Sequence, residues 1–265
     1  MKKSLRLTET AIMIALGFIL SMLTIIKMPF GGSVTAFSML PVIVVAYRYN
    51  VSWGLLAGFA ASLLQMLMGL ENLTYATSAG AVIAIIMLDY IVAFGVMGLG
   101  GIFKGRIKDQ GVALAVGACV VCFLRYICHV ISGCTVWAGV SIPTSDGLLY
   151  SLAYNCAYMV PETVITVVGA YYAGKVFTLN TEQIKRIPLD TSSARNVLSS
   201  LPVALSVVIA FAFVFSMFQT NEGFDITQIS RTGIFGWLPV IISLVVGIGA
   251  AVVIRNAVFK DKKAD

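Results

Sequence analysis

The sequence predicts an all-α integral membrane protein, and three observations carry that prediction. Hydrophobic residues make up 59% of the chain and charged residues only 11%, with a mean hydropathy of +0.95. A water-exposed surface of ordinary size needs roughly 25% charged residues, so a soluble globular domain is excluded. Apolar runs long enough to cross about 30 Å of hydrocarbon recur along the whole chain. The basic residues behind the net charge of +6 gather in short segments between those runs, not on one stripe. That pattern is membrane topology and not a nucleic-acid surface.

Eight spans are expected, near 10–27, 37–50, 51–70, 79–103, 111–135, 149–177, 200–218 and 233–256. The first has Lys2, Lys3 and Arg6 before it, as a signal peptide would, but no small-residue cleavage site comes after it, so it stays as a span. The second is short and carries Pro41, which predicts a tilted or partly re-entrant helix, next to a Gly-rich loop at 28–36. Residues 178–199 form a polar linker with Pro188 and no apolar periodicity. It divides a six-span body, 1–177, from a two-span extension, 200–265, whose spans lack charge and whose end is a basic tail. With the N-terminus inside, 15 of the 18 basic residues fall in inside segments, leaving Lys27 and Arg231 outside and Arg125 within a span. The expectation is a multi-pass protein of the cell membrane with both termini cytoplasmic. No internal repeat is visible, which weighs against an inverted-repeat transporter.

Ionisable groups inside a bilayer cost several kcal/mol unless paired or hydrated, so they are functional candidates. Asp89 in the fourth span and Arg125 in the fifth each lie about 15 Å below the outer membrane end, which predicts them as partners. His129 lies one turn above Arg125 on the same face, and Ser132 continues that stripe. In the sixth span Tyr150, Tyr154, Tyr158 and Glu162 recur every four residues, with Asn155 beside them and Pro161 loosening the helix. The expected shape is a cup opening outward, with Trp137, Tyr150 and Tyr154 at the rim, His129 and Asn155 below, and Asp89 and Arg125 at the floor. Asp89 and Glu162 against Arg125 leave one net negative charge, and aromatic walls beside it suit a small aromatic cation. Each residue also has a plainer reading: tryptophans in the interfacial belt, a packing histidine, a structural Asp89–Arg125 ion pair.

What the chain lacks narrows the chemistry. It has no GxxxxGK[ST] loop, no HExxH, no GxSxG and a single histidine, so it reads as neither an ATPase nor an enzyme, with no metal site and no cofactor expected. Cys119 and Cys122 lie a turn apart, a spacing open to a metal or redox pair, but they read as small hydrophobes between helices, as do Cys128, Cys134 and Cys156. Active transport would draw its energy from a partner or an ion gradient.

The run 124–137 (LRYICHVISGCTVW), the segment Tyr150 to Asn155, the Asp89-Tyr90 pair and the first-span run TETAIMIALGF resemble the thiamine-specific substrate-binding (S) components of energy-coupling-factor (ECF) transporters. The resemblance covers 1–177 and is most specific in the fourth to sixth spans. It implies a six-helix S-component bundle plus two additional C-terminal transmembrane helices, an outward-facing thiamine pocket and a bacterial cell membrane. It implies that Asp89, Tyr90, Arg125, His129, Trp137, Tyr150 and Asn155 bind the ligand, and Tyr154 joins them from the polar stripe. It further implies that Ala11 and Ala15 dock a coupling transmembrane subunit, which works with two ATP-binding subunits, and that thiamine is a transported ligand and not a cofactor. The sequence departs from the family where some members place a tryptophan in the first outer loop: here the stretch reads Gly31-Gly32-Ser33, with Phe30 or Tyr75 as replacement walls. Two other readings stand beside this one. One is a proton-coupled secondary transporter of a small cationic or aromatic solute, using Asp89, Arg125, His129 and Glu162 as a relay; the other is a membrane scaffold whose buried charges only pair.

Overall fold

The computed structural model describes residues 3–28, 31–137, 147–220 and 223–258. Its helices are α1 (Lys3–Met22), α2 (Leu40–Arg48), α3 (Val51–Met68), α4 (Ala79–Gly101), α5 (Gln110–Thr135), α6 (Gly147–Val176), α7 (Thr191–Phe218) and α8 (Ile234–Val253). Side chains set the starts of four of them: Asn50, Ser78, Asp109 and Asp190 accept the backbone N–H groups of Trp53, Ala81, Val112 and Ser193. Each cap satisfies a donor that the first turn leaves free.

Six helices among the described residues are long and apolar enough to cross a membrane: α1, α3, α4, α5, α7 and α8. Two of the eight expected spans differ from that pattern for separate reasons. Helix α2 has only nine residues, a rise of about 14 Å, so it reaches half-way through the hydrocarbon. Helix α6 has 30 residues and ample length, but its polar stripe dilutes its hydropathy because that face is turned into the protein.

The first span also ends earlier than expected. After Met22 the chain forms a hairpin of β1 (Thr24–Lys27) and β2 (Ser33–Thr35), with Thr24 opposite Thr35, Ile26 opposite Val34 and Lys27 opposite Ser33. The β-branched run Thr24-Ile25-Ile26 suits a strand better than a helix end. Gly31 and Gly32 take φ of +90° and +80°, which a side chain would oppose. A second hairpin, β3 (Gln219–Thr220) with β4 (Gly223–Phe224), joins α7 to α8.

Helices α5 and α6 pack along one another at the centre of the bundle, and α3 packs closely on the last turns of α4. A Cβ on Gly98 would lie 2.2 Å from the Leu55 nitrogen, so this helix contact exists only because the residue has no side chain. Half of α5's apolar window is buried but only 6% of α8's; α5 is central and α8 peripheral. Helix α7 begins at Thr191, within the segment expected as linker, and lies against α6 with Asn196 Nδ2 donating to the Tyr171 hydroxyl at 3.1 Å. Helix α8 lies against α7.

At the end of the bundle away from the first hairpin, Arg48 binds several elements at once. Its Nε and Nη2 donate to the Glu9 carboxylate at 2.7 and 3.2 Å. Nη1 and Nη2 donate to the carbonyls of Leu179, Thr181 and Glu182 at 3.1, 2.8 and 2.8 Å, and Lys104 Nζ donates to the Arg48 carbonyl at 2.7 Å. A planar fork of five donors is what lets one side chain join α1, α2 and the segment after α6. Nearby, Asp109 pairs with Lys175. Burial pushes the Asp109 carboxyl up, but hydrogen bonds from Lys175 and the Val112 N–H outweigh that effect and hold it below its ordinary range.

Arg48→Ala should destabilise the detergent-solubilised protein by about 3 kcal/mol, because Glu9 loses its cationic partner and three carbonyls lose the Arg48 donor, read as a lower melting temperature. Gly98→Leu should force α3 from α4 and cost about 1–3 kcal/mol in the same assay, whereas Gly105→Ala, where a Cβ meets nothing within 4 Å, should cost less despite its φ of +77°.

Candidate ligand-binding site

A cavity of about 550 Å³ opens between the first hairpin, α3, α4, α5 and α6. Small-molecule sites typically measure roughly 300–1,000 Å³. All eight ligand-binding residues expected from the sequence line it: Asp89, Tyr90, Arg125, His129, Trp137, Tyr150, Tyr154 and Asn155.

Asp89 sits in a π-helical turn, Ile86–Val92, inside α4. Such turns carry an extra residue and often mark functional positions. Its carboxylate accepts from three protein groups: His129 Nδ1 at 2.9 Å, Ser132 Oγ at 2.6 Å and Trp137 Nε1 at 3.2 Å. The expected pairing of Asp89 with Arg125 is therefore corrected: among the described residues the acid pairs with His129, and no ion pair joins it to Arg125. Equal depth on two helices fixes one coordinate only; rotation about each helix axis fixes the others, and packing decides it.

Arg125 rests instead on soft groups. Its guanidinium carbon lies 4.3 Å above the Phe94 ring, and Nη1 approaches Met39 Sδ at 2.7 Å. The residue is 6% exposed, and its Nε is buried without a hydrogen-bond partner; His129 Nε2 is in the same condition. Both residues line the cavity, but these two nitrogens are buried behind its surface.

The other residues hold one another. Tyr90 donates to the Gly69 carbonyl and accepts from Asn72 Nδ2, both at 2.9 Å. Asn155 Nδ2 donates to the Ser151 carbonyl at 2.8 Å and to the His129 carbonyl at 3.3 Å, so it ties α6 to α5. Tyr158 donates to Asn155 Oδ1 at 2.7 Å. Tyr150 stacks on Tyr154 with centroids 6.3 Å apart, and Tyr75 leans on Trp137 at 5.7 Å. Tyr75 thus lines the cavity, while Phe30 and residues 138–146 lie outside the described residues. Ala11 and Ala15 are exposed on α1.

The polar stripe of α6 fastens the first hairpin. Tyr154 donates to the Gly31 carbonyl at 2.9 Å, the Tyr158 ring lies against Gly32, and Thr35 Oγ1 donates to the buried Glu162 carboxylate at 2.7 Å. The Ser38 hydroxyl lies 2.7 Å from Thr35 and 3.4 Å from the same carboxyl oxygen. Between them Phe37 adopts φ of 64°, a conformation that costs of order 1–3 kcal/mol and persists only where its surroundings enforce it. Thr35, Ser38, Met39 and Phe94 were not legible as site residues, since small hydroxyls in a Gly-rich loop and apolar residues in a span give no signal. Lys27 and Glu71 also line the cavity, one of each sign.

Residues 7–178 match the thiamine transporter protein family, Thia_YuaJ. The chain belongs to that family. Thiamine transporter ThiT of Bacillus subtilis (strain 168) is 33% identical over 175 residues, covering 62% of this chain and 87% of the relative. The solved structure of ThiT from Listeria monocytogenes superposes with a TM-score of 0.54 at 21% identity, covering 66% of this chain and 96% of that one. At that identity it speaks for the fold alone. The fold is the S-component bundle of this family with two further helices, α7 and α8, beyond the matched region. The protein is a multi-pass membrane protein of a transporter family.

If Glu162 is what holds the hairpin, Glu162→Ala should raise amide exchange across 24–36 by about tenfold or more and leave the middle of α5 unchanged. Exchange unchanged across 24–36 would remove that role.

Proposed function

We propose that this protein captures thiamine from the extracellular side of a bacterial cell membrane and performs no chemistry on it. The observation that carries the reading is the charge and shape of the aromatic-walled cavity. Asp89, Glu162 and Glu71 against Arg125 and Lys27 leave one net negative charge among its lining residues, and thiamine is an aromatic monocation. A buried charge needs such compensation, and aromatic faces add cation–π attraction to a delocalised cation. The family match and the ThiT relatives support the same ligand.

Asp89, Tyr90, Arg125, His129, Trp137, Tyr150, Tyr154 and Asn155 form the binding wall in this reading. With the N-terminus inside, the cavity end faces out and the Arg48 end faces the cytoplasm, so both termini are cytoplasmic. Residues 1–177 form the binding domain, 178–199 the connection and 200–265 the two-span extension. Transport then requires an ECF module of two ATP-binding subunits and a coupling transmembrane subunit, docked on the exposed Ala11–Ala15 face of α1, where small residues allow close helix approach.

The isolated protein should bind thiamine with submicromolar affinity and with quenching of tryptophan fluorescence, most of it lost in Trp137→Phe. Asp89→Asn should weaken binding by about 100-fold, or about 2.7 kcal/mol, since it removes the site's charge and loosens His129, Ser132 and Trp137 together. Calorimetry that detects no thiamine binding would end this reading. The hydrogen-bonded Asp89–His129 pair is also the kind of group a proton relay uses. Uptake into liposomes by this chain alone, driven by a pH gradient without ATP, would favour the proton-coupled secondary transporter instead.

A further inference from the structure

We infer that Arg6 and Trp53 set the rotation of α1 about its own axis, and so aim the Ala11–Ala15 face at a partner helix. The inference rests on that face as the docking surface and names the residues that position it. Helix α1 is loosely held: 11% of its apolar window is buried, and its buried residues are Thr10 and Gly17. Among the described residues, no α1 side chain after Thr10 bonds to another element; Ser21 donates within the helix. Apolar contacts alone fix such a helix's rotation poorly, because lipid tails are as apolar as the side chains they replace.

The polar attachments of α1 precede Ala11 and share one side. The Arg6 guanidinium carbon stands 3.8 Å from the Trp53 ring centroid and 5.1 Å from that of Tyr49. Arg6 Nε is buried without a hydrogen-bond partner, so the rings hold this end of the side chain. Trp53 Nε1 donates to Thr10 Oγ1 at 2.8 Å, and Thr10 Oγ1 donates to the Arg6 carbonyl at 2.7 Å. Glu9 accepts from Arg48 and from the Tyr49 hydroxyl.

At about 100° per residue, Arg6, Glu9 and Thr10 fall within about 100° of one another, and Ala11 and Ala15 centre on the opposite side of the helix. Both alanines are exposed. A guanidinium lies flat on an indole, so turning α1 by one residue, about 100°, would unstack it and swing the alanines off their bearing. Neither Arg6 nor Trp53 lines the cavity. Their contact can therefore be altered without touching the ligand wall.

The test pairs thiamine calorimetry with binding of the ECF module, its coupling transmembrane subunit and two ATP-binding subunits, to the full-length protein in nanodiscs. Arg6→Ala and Trp53→Leu should each lower module affinity by about tenfold or more. Both should keep thiamine affinity within about twofold, since the cavity is a separate site. Trp53→Phe keeps a ring beneath Arg6 and should retain most of the docking. A second readout needs no module: a spin label on Ala15→Cys, with the five native cysteines replaced by alanine, reports collisions with oxygen dissolved in the lipid. Adding Arg6→Ala should reduce those collisions as the position turns toward the bundle. Unchanged docking in folded Arg6→Ala and Trp53→Leu proteins, or an unchanged label signal, would overturn the inference. So would loss of thiamine binding together with docking, which would make the contact a support of the whole bundle. If Ala15→Leu alone leaves docking intact, the docking surface itself is misplaced, and the reading beneath the inference falls instead.

Discussion

A carboxylate at membrane depth is costly unless paired or hydrated, and the protein supplies donors for it. For Asp89 it supplies three: two from α5 and one from the tryptophan just past its end. The convergence draws α4 against α5, holds Trp137 at the cavity and turns Nδ1 of His129 toward α4. A π turn in α4 is the backbone's part in the arrangement, since Asp89 lies within it. Remove the carboxylate and each of these positions loses its reason.

The same constraint orders the rest of the molecule. Polar groups in lipid are tolerated where they find partners inside the protein, and this chain gathers them at two ends. At one end Arg48 joins α1, α2 and the segment after α6 through carboxylate and carbonyl acceptors. At the other, the tyrosines and Glu162 of α6 hold the first hairpin across the cavity. Between the ends the helices meet through small residues, as Gly98 meets Leu55. The cavity is the gap left where the hairpin, not a helix, closes the bundle.

Several features of the site are legible in the chain's own spacing. The four-residue interval of Tyr150, Tyr154, Tyr158 and Glu162 marks one helix face regardless of tertiary packing, and all four line the cavity. Arg125 and His129 share a face for the same reason. The pairing of Asp89 is not legible there, because depth along a helix says nothing about its rotation, and a π turn leaves no composition signal. The hairpin reads as a loop, since Thr24 to Lys27 continues an apolar run and only pairing with 33–35 makes it a strand.

Composition is enough to dictate the solvent: 59% hydrophobic residues and 11% charged ones leave no surface for water, and the periodic polar residues must then face inward. The family is legible in the chain too, in the runs around Asp89, His129 and Trp137. Only the packing of the helices decides which polar atoms are satisfied and which are left over. Hydrogen bonds depend on distances and angles between helices, and no spacing along one helix encodes the rotation of its neighbour. Hence the unpaired Nε of Arg125 and Nε2 of His129 emerge only from the packed bundle.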